Sequence, residues 1–351
     1  LFPSAPANPV VGLELLRQRQ FAPALGMAER PMGPARWQFV TTDELYRGIL
    51  DQQPYDVHGL VGFGDMLLLA HADSQRGRAA LAELDFYVHA DLFMNPTAEM
   101  ADIVLPVTSC FESEALKIGF EISAEAQSLV QLRPAAVGPR GEARSDVEII
   151  FDLACRLGYA SYFWDGDIAA AYQYQLEPSG IQLDDLRKNP GGIRFPLGVP
   201  YRKFAEEVNV APHGFDTPPR KIELYSEPLL AAGYPPLPVY VEPLVSPAAQ
   251  PQLAARFPLR LTCAKPPLFC ETQHRGLPSL RRKALDPEVE LHPSAAAARD
   301  IHAGDWVAIE TPSGSVRARA RLNSSLQPDV VCAQQGWWQA CPEIGAAGYD
   351  P

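Results

Sequence analysis

Three features are absent from this sequence of 351 residues, and each absence excludes a class of protein. No run of about 18 uncharged apolar residues occurs, which excludes a transmembrane helix. Basic residues are not in excess: 30 Lys and Arg against 42 Asp and Glu give a formal net charge of −12. That balance argues against a nucleic acid held through its phosphates. No C-x-x-C pair occurs among the six cysteines, so neither a structural zinc site nor an iron–sulfur cluster is indicated.

The first 160 residues alternate between strand-like and helix-like patterns, after an irregular arm with one predicted helix from Leu13 to Gln20. Capping boxes at Thr41–Glu44 and Ser145–Glu148 predict the starts of two further helices. Strands are predicted at 57–61, 86–90, 103–105 and 128–133, with a helix at 74–84. Strands that alternate with helices predict a parallel sheet in an α/β layered fold.

The rest of the chain divides into an irregular part and a strand-rich part. Residues 160–250 lose the regular alternation, and the proline-dense stretch 212–258 is predicted to be an extended strap between domains. Short strands separated by turns follow and predict a small β-barrel. These strands are 259–263, 289–292, 306–311, 316–322 and 330–334, with an Ala-rich helix at 293–299.

A loop of Gly62-Phe63-Gly64-Asp65 follows the first predicted strand. Glycines at the carboxyl end of a strand let the backbone approach a phosphate closely. The loop is not a G-x-G-x-x-G motif, and a plain tight turn between strand and helix remains an alternative.

Asp91 follows the next predicted strand, at the edge where an open parallel sheet binds its ligands. A carboxylate there can accept two hydrogen bonds from a guanine edge or a ribose diol. Turn or helix capping is the alternative for Asp91 and Asp102. The segment reads Asp91-Leu92-Phe93, then Thr97-Ala98, then Ala101-Asp102-Ile103-Val104-Leu105-Pro106, then Glu112. This order resembles the molybdopterin oxidoreductases of the dimethyl sulfoxide reductase family.

Residues 259–351 carry a second resemblance to the same family. They contain, in order, Thr262, Gln273–Pro278, Glu290–Pro293, Gly304–Val307 and Gly336–Trp338. This order resembles the family's C-terminal dinucleotide-binding domain, and Arg220–Ser226 resembles the usual approach to it. The details are most similar to the acetylene-hydratase-like branch of the family.

The resemblance implies an α/β Rossmann-like half-domain followed by a C-terminal double-psi β-barrel. The implied division is a Rossmann-like molybdopterin-binding portion at 1–160, an irregular Pro-rich connection at 161–254 and a dinucleotide-binding barrel at 255–351. The chain would be the C-terminal portion of a molybdenum or tungsten oxidoreductase, binding and positioning a molybdopterin guanine dinucleotide. The implied cofactor-binding residues are Gly62, Gly64, Asp65, Asp91, Thr97, Asp102, Thr262, Lys265, His274 and Arg275.

Two of these residues carry open alternatives. The family often has Gly-Arg just after the position of Thr262, whereas Cys263-Ala264 stands here; Lys265 is expected to replace that cation as a point charge. His274 is either a cofactor-facing residue or a turn histidine without a ligand. Trp337 and Trp338 are expected to pack in the core.

No residue matches the family's catalytic metal ligand, so no catalytic or metal-binding residue is assigned. The Cys motif for a [4Fe–4S] centre is also not found, and both are expected in a preceding segment. The chain is therefore expected to be inactive alone, and a non-catalytic binding module remains an alternative. A nicotinamide-dependent dehydrogenase is less favoured, because G-x-G-x-x-G with a later acidic residue is missing. The expected partners are a small-molecule substrate and an electron-transfer subunit. The expected location is the cytoplasm, although a sequence beginning at Leu1 leaves targeting unassessed.

Overall fold

A computed structural model describes residues 24–37, 39–117, 123–195, 207–208, 211–212, 214–215 and 217–349. The predicted helix from Leu13 to Gln20 lies outside these residues. No helix in the described ranges has both the length and the apolar composition needed to cross a bilayer.

The N-terminal part is built on a parallel sheet of β1 (Gly59–Phe63), β2 (Phe86–Asp91) and β3 (Ile103–Pro106), in that spatial order. Three of the four strands predicted for the parallel sheet are confirmed, and β1 begins two residues later than predicted. The fourth, predicted at 128–133, pairs antiparallel in a separate sheet. The carbonyl of His58, just before β1, accepts hydrogen bonds from the N–H groups that precede and begin β2. The parallel arrangement brings the carboxyl ends of all three strands to one edge.

One face of this sheet is covered by α1 (Thr42–Leu50), α2 (Leu67–Ala70) and α3 (Ser74–Ala82). The side chain of Thr41 accepts a hydrogen bond from the N–H of Glu44, which confirms the predicted helix start. Two buried clusters hold these helices down. They contain Leu67, Leu68, Leu81 and Tyr87, and Tyr46, Ile49 and Ala80. Each large apolar side chain buried there contributes about 1.5–3 kcal/mol.

A second, antiparallel layer follows, with β4 (Ala115–Lys117), β5 (Leu129–Arg133) and β6 (Ile193–Arg194). Its helices are α4 (Ala124–Gln127), α5 (Asp146–Ala154), α6 (Ile168–Leu176) and α7 (Leu183–Lys188). The capping box of Ser145 and Glu148 is confirmed at the start of α5. The helices α6 and α7 lie in a stretch predicted to be irregular. Their apolar residues pack against β5, but α6 also carries apolar residues on its other faces, so the sequence pattern did not reveal it.

The connection that follows contains β7 (Glu207–Val208), β8 (Ala211–Pro212), α8 (Glu227–Ala231) and α9 (Pro251–Arg256). The stretch predicted to be an extended strap, 212–258, contains α8 and α9, and the residues between these two helices form no helix or strand and are mostly exposed. Single-turn helices lie at Pro34–Trp37, Ala98–Met100, Cys155–Tyr159, Ala160–Tyr162, Trp164–Gly166, Glu177–Ser179 and Pro342–Ile344.

The C-terminal part is one mixed sheet in the order β11-β12-β10-β13-β9. Its strands are β9 (Arg260–Ala264), β10 (Glu288–Leu291), β11 (Trp306–Thr311), β12 (Gly314–Leu322) and β13 (Val330–Gln334), with α10 (Pro278–Arg281) and α11 (Pro293–Ala297) between them. All five predicted strands are confirmed within two residues. The two edge strands, β9 and β11, both line one cavity of about 240 Å³, which shows that the sheet curls.

Apolar and basic residues alternate along β12, and the apolar face is buried at the centre of the strand. Ala318 and Ala320 are buried in the core of this sheet, together with residues of β10 and β13. Val316 and Leu322 lie on the same face but are exposed, because they stand near the two ends of the strand. The C-terminal sheet therefore has its own apolar core, separate from the clusters under the parallel sheet.

Candidate functional site

The candidate site is the carboxyl edge of the parallel sheet, where the loops after β1, β2 and β3 meet. The N–H of Gly64 donates to the carbonyl of Ala90 at 2.8 Å, and the N–H of Val107 donates to the carbonyl of Asp91 at 3.2 Å. Gly64 has a φ of +61°, a conformation that favours glycine. The loops that carry Asp65 and Asp91 are thus fixed to each other.

Gly62 lies directly under the side chain of Asp65, which folds back over the end of β1. A Cβ at position 62 would overlap the carboxylate oxygen Oδ2 of Asp65 and approach the ring of His89. From the sequence, we interpreted this glycine as one that lets the backbone approach a phosphate closely. In the structure, the atom that occupies the space is an oxygen of the chain itself.

The carboxylate of Asp91 is held by its own loop. Its Oδ1 accepts from the N–H groups of Leu92 and Phe93, and its Oδ2 accepts from the side-chain amide of Asn95 at 2.8 Å and from His89 at 3.3 Å. A carboxylate offers about four acceptor positions, and the chain supplies four donors, of which His89 and the N–H of Phe93 are weakly bound at 3.3 Å. Capping of the local turn is therefore one role of Asp91, and its side chain stays 13% exposed at the edge.

His89 was not singled out from the sequence, yet it connects the acidic residues of this edge. Its imidazole is fully buried. Nδ1 lies 2.6 Å from the hydroxyl of Tyr87, and Nε2 lies 3.3 Å from Oδ2 of Asp91. Tyr87, His89 and Asp91 alternate along β2 and so share one face. Three polar side chains at alternate positions in an otherwise apolar strand were the signal for this cluster.

Asp65 has an incompletely paired carboxylate. Its Oδ1 is buried without a hydrogen-bond partner, and His89 Nδ1 lies 3.8 Å from it. Burial raises the pKa of the Asp65 carboxyl above its usual value, while the nearby His89 opposes this shift. The charge of Asp91 raises the pKa further. A buried oxygen without a hydrogen-bond partner destabilises the fold, so Oδ1 of Asp65 is available to accept a hydrogen bond from a ligand.

Two other predicted residues serve the fold around this edge. The hydroxyl of Thr97, fully buried, accepts a hydrogen bond from the N–H of Leu68 at the start of α2. The carboxylate of Asp102 accepts from the N–H of Tyr87 at 2.7 Å. Since Asp102 precedes β3 and Tyr87 lies near the start of β2, this contact is at the amino edge of the sheet. The structure does not bring Asp102 together with Asp65 and Asp91.

The predicted residues of the C-terminal sheet lie in and after β9. Thr262 is exposed in β9, in register with Cys332 of β13. The ammonium of Lys265 pairs with Glu271, whose other oxygen accepts from the amide of Gln335 at 2.9 Å. His274 is exposed, with a φ of +73°. The structure therefore places Lys265 in an exposed ion pair and His274 on a strained turn.

Arg275 lies inside the protein rather than on its surface. Its guanidinium is fully buried and donates to the carbonyls of Glu271, Gln273 and Gln335. It also stacks on the rings of Phe269 and Trp337. Burial, followed by the charge of Arg281, lowers the pKa of Arg275 to about 10. The arrangement makes Arg275 a support of the loop that carries His274.

Arg281, also fully buried, binds the same region and was not singled out from the sequence. It donates to the carbonyls of Arg275, Leu285, Gln339 and Ala347, and it lies over the ring of Trp337. Among the described residues, neither of these two guanidinium groups forms an ion pair. The expected packing of Trp337 is confirmed, since its side chain is buried between the two arginines.

The two regions meet at the loop after β1. The hydroxyl of Thr272 donates to the sulfur of Met66 at 3.1 Å. Met66 follows Asp65 directly, and Thr272 follows Glu271. The acidic edge of the parallel sheet therefore adjoins the loop of the C-terminal sheet that carries Glu271, His274 and Arg275.

Two family models match separate parts of this chain. Residues 26–156 match the family model of molybdopterin oxidoreductases, and residues 259–349 match the model described as molydopterin dinucleotide binding domain. Acetylene hydratase of Syntrophotalea acetylenica is 29% identical over 302 residues, covering 85% of this chain and 39% of the relative. Dimethyl sulfoxide reductase DmsA of Escherichia coli (strain K12) is 29% identical over 300 residues, covering 78% and 36%.

A solved structure is also similar to this chain. Acetylene hydratase from Pelobacter acetylenicus superposes with a TM-score of 0.74 at 26% identity, covering 87% of this chain and 41% of that chain. The chain thus spans about two fifths of the length of these relatives. Because both models match in the order in which the two sheets occur, the chain belongs to the molybdopterin oxidoreductase family.

Proposed function

We propose that this chain binds a molybdopterin guanine dinucleotide between the carboxyl edge of its parallel sheet and the adjoining loop of its C-terminal sheet. The observation that carries the proposal is the contact between Thr272 and Met66, which brings the two regions together beside Asp65. The two matched family models correspond to these two regions. Residues 1–160, 161–254 and 255–351 are the proposed domains, the first Rossmann-like and the last a double-psi β-barrel.

The residues at the edge fit the nucleoside end of such a cofactor. Asp65 and Asp91 supply carboxylates, and hydrogen-bond donors such as the ring N–H and amino groups of guanine or the hydroxyls of ribose suit carboxylates. The buried Oδ1 of Asp65 lacks a donor. Phosphates would be repelled by the same two charges. We therefore assign the edge to guanosine, with Gly62 and Gly64 shaping it.

The remaining candidates fall into two groups. Thr262, Lys265 and His274 are proposed to contact the cofactor from the C-terminal sheet, because all three are exposed there. Thr97, Asp102 and Arg275 are proposed to act through the loops that they hold, since their polar groups bind the chain itself. When bound, the cofactor would supply a pterin-held metal for redox or hydration chemistry.

The activity of the whole protein is proposed from its relatives. A molybdenum or tungsten oxidoreductase is favoured, and a hydratase on the same scaffold is the variant suggested by the acetylene hydratase similarity. We propose that the whole protein has an electron-transfer subunit as its partner and is located in the cytoplasm. We also propose that the metal ligand, and any [4Fe–4S] cluster, lie outside residues 1–351. The chain by itself is expected to show no turnover. Sustained, metal-dependent reduction of an oxo-acceptor by the reconstituted chain would contradict this.

A titration of the full chain with guanosine 5′-monophosphate tests the assignment of the edge. Asp91→Ala is expected to weaken binding by about 1.5–3 kcal/mol, the value of one charge-assisted hydrogen bond. Asp85→Ala is the matched control, because Asp85 is an exposed aspartate that pairs with His58 at the amino edge of the same sheet. Unchanged affinity in a folded Asp91→Ala variant, or equal binding of adenosine 5′-monophosphate, would remove guanosine from this edge.

A further inference from the structure

The C-terminal sheet has an open seam between its two edge strands, which we call the β9–β11 seam. Among the described residues, β9 pairs only with β13 and β11 pairs only with β12. Both edge strands line the same cavity, and three consecutive residues of β11 reach it: Val307, Ala308 and Ile309. Because neighbouring residues of a strand point to opposite faces, the cavity lies against the unpaired edge of β11 itself.

The cavity in this seam is lined mainly by aliphatic side chains. Three charged residues also line it, Arg256, Arg299 and Glu310, and all three are exposed. Within the described part of the chain, neither arginine forms an ion pair. Arg256 lies over the ring of Phe257, and Arg299 donates to the carbonyl of Ala295 at 2.9 Å. The seam therefore offers an apolar interior, an unpaired strand edge and a net positive charge.

The connection between α8 and α9 contains a stretch, residues 238–243, with complementary properties. It forms no helix, strand or turn, and its two valines, Val239 and Val241, are 58% and 75% exposed. The hydroxyl of Tyr240 donates to the carboxylate of Glu242 at 2.5 Å, so these two side chains lie on the same side of the chain. Valines that alternate with such a pair form the pattern of a strand with one apolar face.

The ends and the charge of this stretch also fit the seam. Pro238 and Pro243 bracket four residues that keep their N–H groups, and a proline limits how far a strand can pair. Glu242 is the only charged residue between positions 228 and 255, opposite in sign to the net charge of the cavity lining. The cavity, at about 240 Å³, is smaller than the roughly 300–1,000 Å³ typical of small-molecule sites. Its size therefore favours a few side chains over a separate ligand.

We propose that residues 238–243 of a second copy of this chain add to the β9–β11 seam as a strand, so that two copies exchange these stretches in a closed dimer. In the described structure the stretch lies outside the cavity of its own chain. Every copy carries both the stretch and the seam, so the exchange is reciprocal and the interface is isologous. Main-chain hydrogen bonds to the free edge of β11 hold the added strand, and Val239 and Val241 fill the cavity.

Sedimentation equilibrium of the full chain tests the exchange. Wild type should sediment at twice the monomer mass of 38.4 kDa and dissociate on dilution. Val241→Asp should raise the dissociation constant about a hundredfold or more, because a charged carboxylate would have to enter an apolar cavity. Val137→Asp is the matched control, since Val137 is 57% exposed in the loop after β5; it should dimerise like wild type. A wild type that stays monomeric at every concentration overturns the proposal.

A variant of the seam tests the other side of the same contact. Ala308 is exposed in β11, and a lysine on an edge strand hinders the addition of another strand. Ala308→Lys should therefore also weaken the dimer. Both substituted residues are exposed in the single chain, so the fold should be retained, and circular dichroism checks this. A dimer that persists in both variants is held by another surface and contradicts the exchange.

Mixing the two variants distinguishes reciprocal exchange from other ways of forming a dimer. Val241→Asp keeps an intact seam, and Ala308→Lys keeps an intact 238–243 stretch. One of the two contacts can therefore form in the mixture, whereas neither can form in each variant alone. The mixture should associate more tightly than either variant by itself. If it does not, the stretch does not enter the seam of another copy.

Discussion

The two sides of the candidate site use their charged residues in opposite ways. At the carboxyl edge of the parallel sheet, Asp65 and Asp91 keep part of their carboxylate groups at the surface. In the C-terminal sheet, Arg275 and Arg281 are fully buried and bind carbonyls of the chain. The carboxylates proposed to bind the ligand thus reach the surface, whereas the buried arginines support the loops of the chain. Exposure and hydrogen-bond partners distinguish the two roles, whereas residue type does not.

The largest expected effect concerns whether the C-terminal region folds independently of the parallel sheet. Residues 215–351, expressed alone, are expected to fold, because the core of β10, β12 and β13 lies entirely within them. A dispersed β-type NMR spectrum is the result expected. A collapsed spectrum from the fragment, with the full chain folded, would show that the C-terminal sheet depends on the parallel sheet.

The next effect concerns the buried arginines. Arg281→Met should destabilise the chain by about 3–5 kcal/mol, because it leaves four carbonyl groups without their donor. Urea unfolding measures the loss. The neighbouring Arg282 is exposed, so Arg282→Met serves as the control and should change stability little. If both variants lose the same small amount, Arg281 is not a support.

A smaller loss is expected at the acidic edge. Asp91→Ala removes the acceptor for four hydrogen bonds, three of them from the loop after β2, and should destabilise the chain by about 1.5–3 kcal/mol. Asp91→Asn keeps one oxygen for the N–H groups of Leu92 and Phe93 and should cost less. Urea unfolding of the two variants checks the order. If Asp91→Asn lowered the free energy of unfolding more than Asp91→Ala does, the loop would not depend on these hydrogen bonds.

The smallest effect is a pH dependence at Asp65. Because the folded-state pKa of Asp65 is raised above its unfolded value, its charge opposes folding, and this destabilisation grows as pH rises through the unfolded and then the folded pKa. Asp65→Asn should therefore gain stability relative to wild type between about pH 4 and pH 7. The two should converge at lower pH, where both side chains are neutral. Urea unfolding across this pH range measures the difference. If Asp65→Asn were instead less stable than wild type at pH 7, the Asp65 carboxylate would stabilise the fold and the expectation would be wrong.

Local signals in the sequence were sufficient for most elements. The helix starts at Thr41 and Ser145 follow from capping residues three positions apart, and the strands that pair as β11 and β12 were predicted at 306–311 and 316–322. The edge location of Asp65 and Asp91 followed from one rule about parallel sheets. These features depend on residues close together in the chain, which is why a single sequence reveals them.

Features that depend on distant partners could not be predicted. Arg281 binds carbonyls 58 and 66 residues away, so its burial is invisible in the local pattern. The role of Asp102 depends on the register between β2 and β3. The helix α6 lacks a repeated apolar stripe and is stabilised by its contacts with neighbouring elements. In each case tertiary packing, rather than local propensity, decides the structure.

Hydrogen–deuterium exchange of the full chain, with and without molybdopterin guanine dinucleotide, tests the central claim that the cofactor lies between the two regions. We expect the cofactor to protect three loops in these two regions together: residues 62–67 and 91–95 at the acidic edge, and residues 271–276 beside the C-terminal sheet. The amino edge of the parallel sheet, around Asp85 and Asp102, should exchange as before. Protection of only one of the two regions, or of neither, would contradict the account.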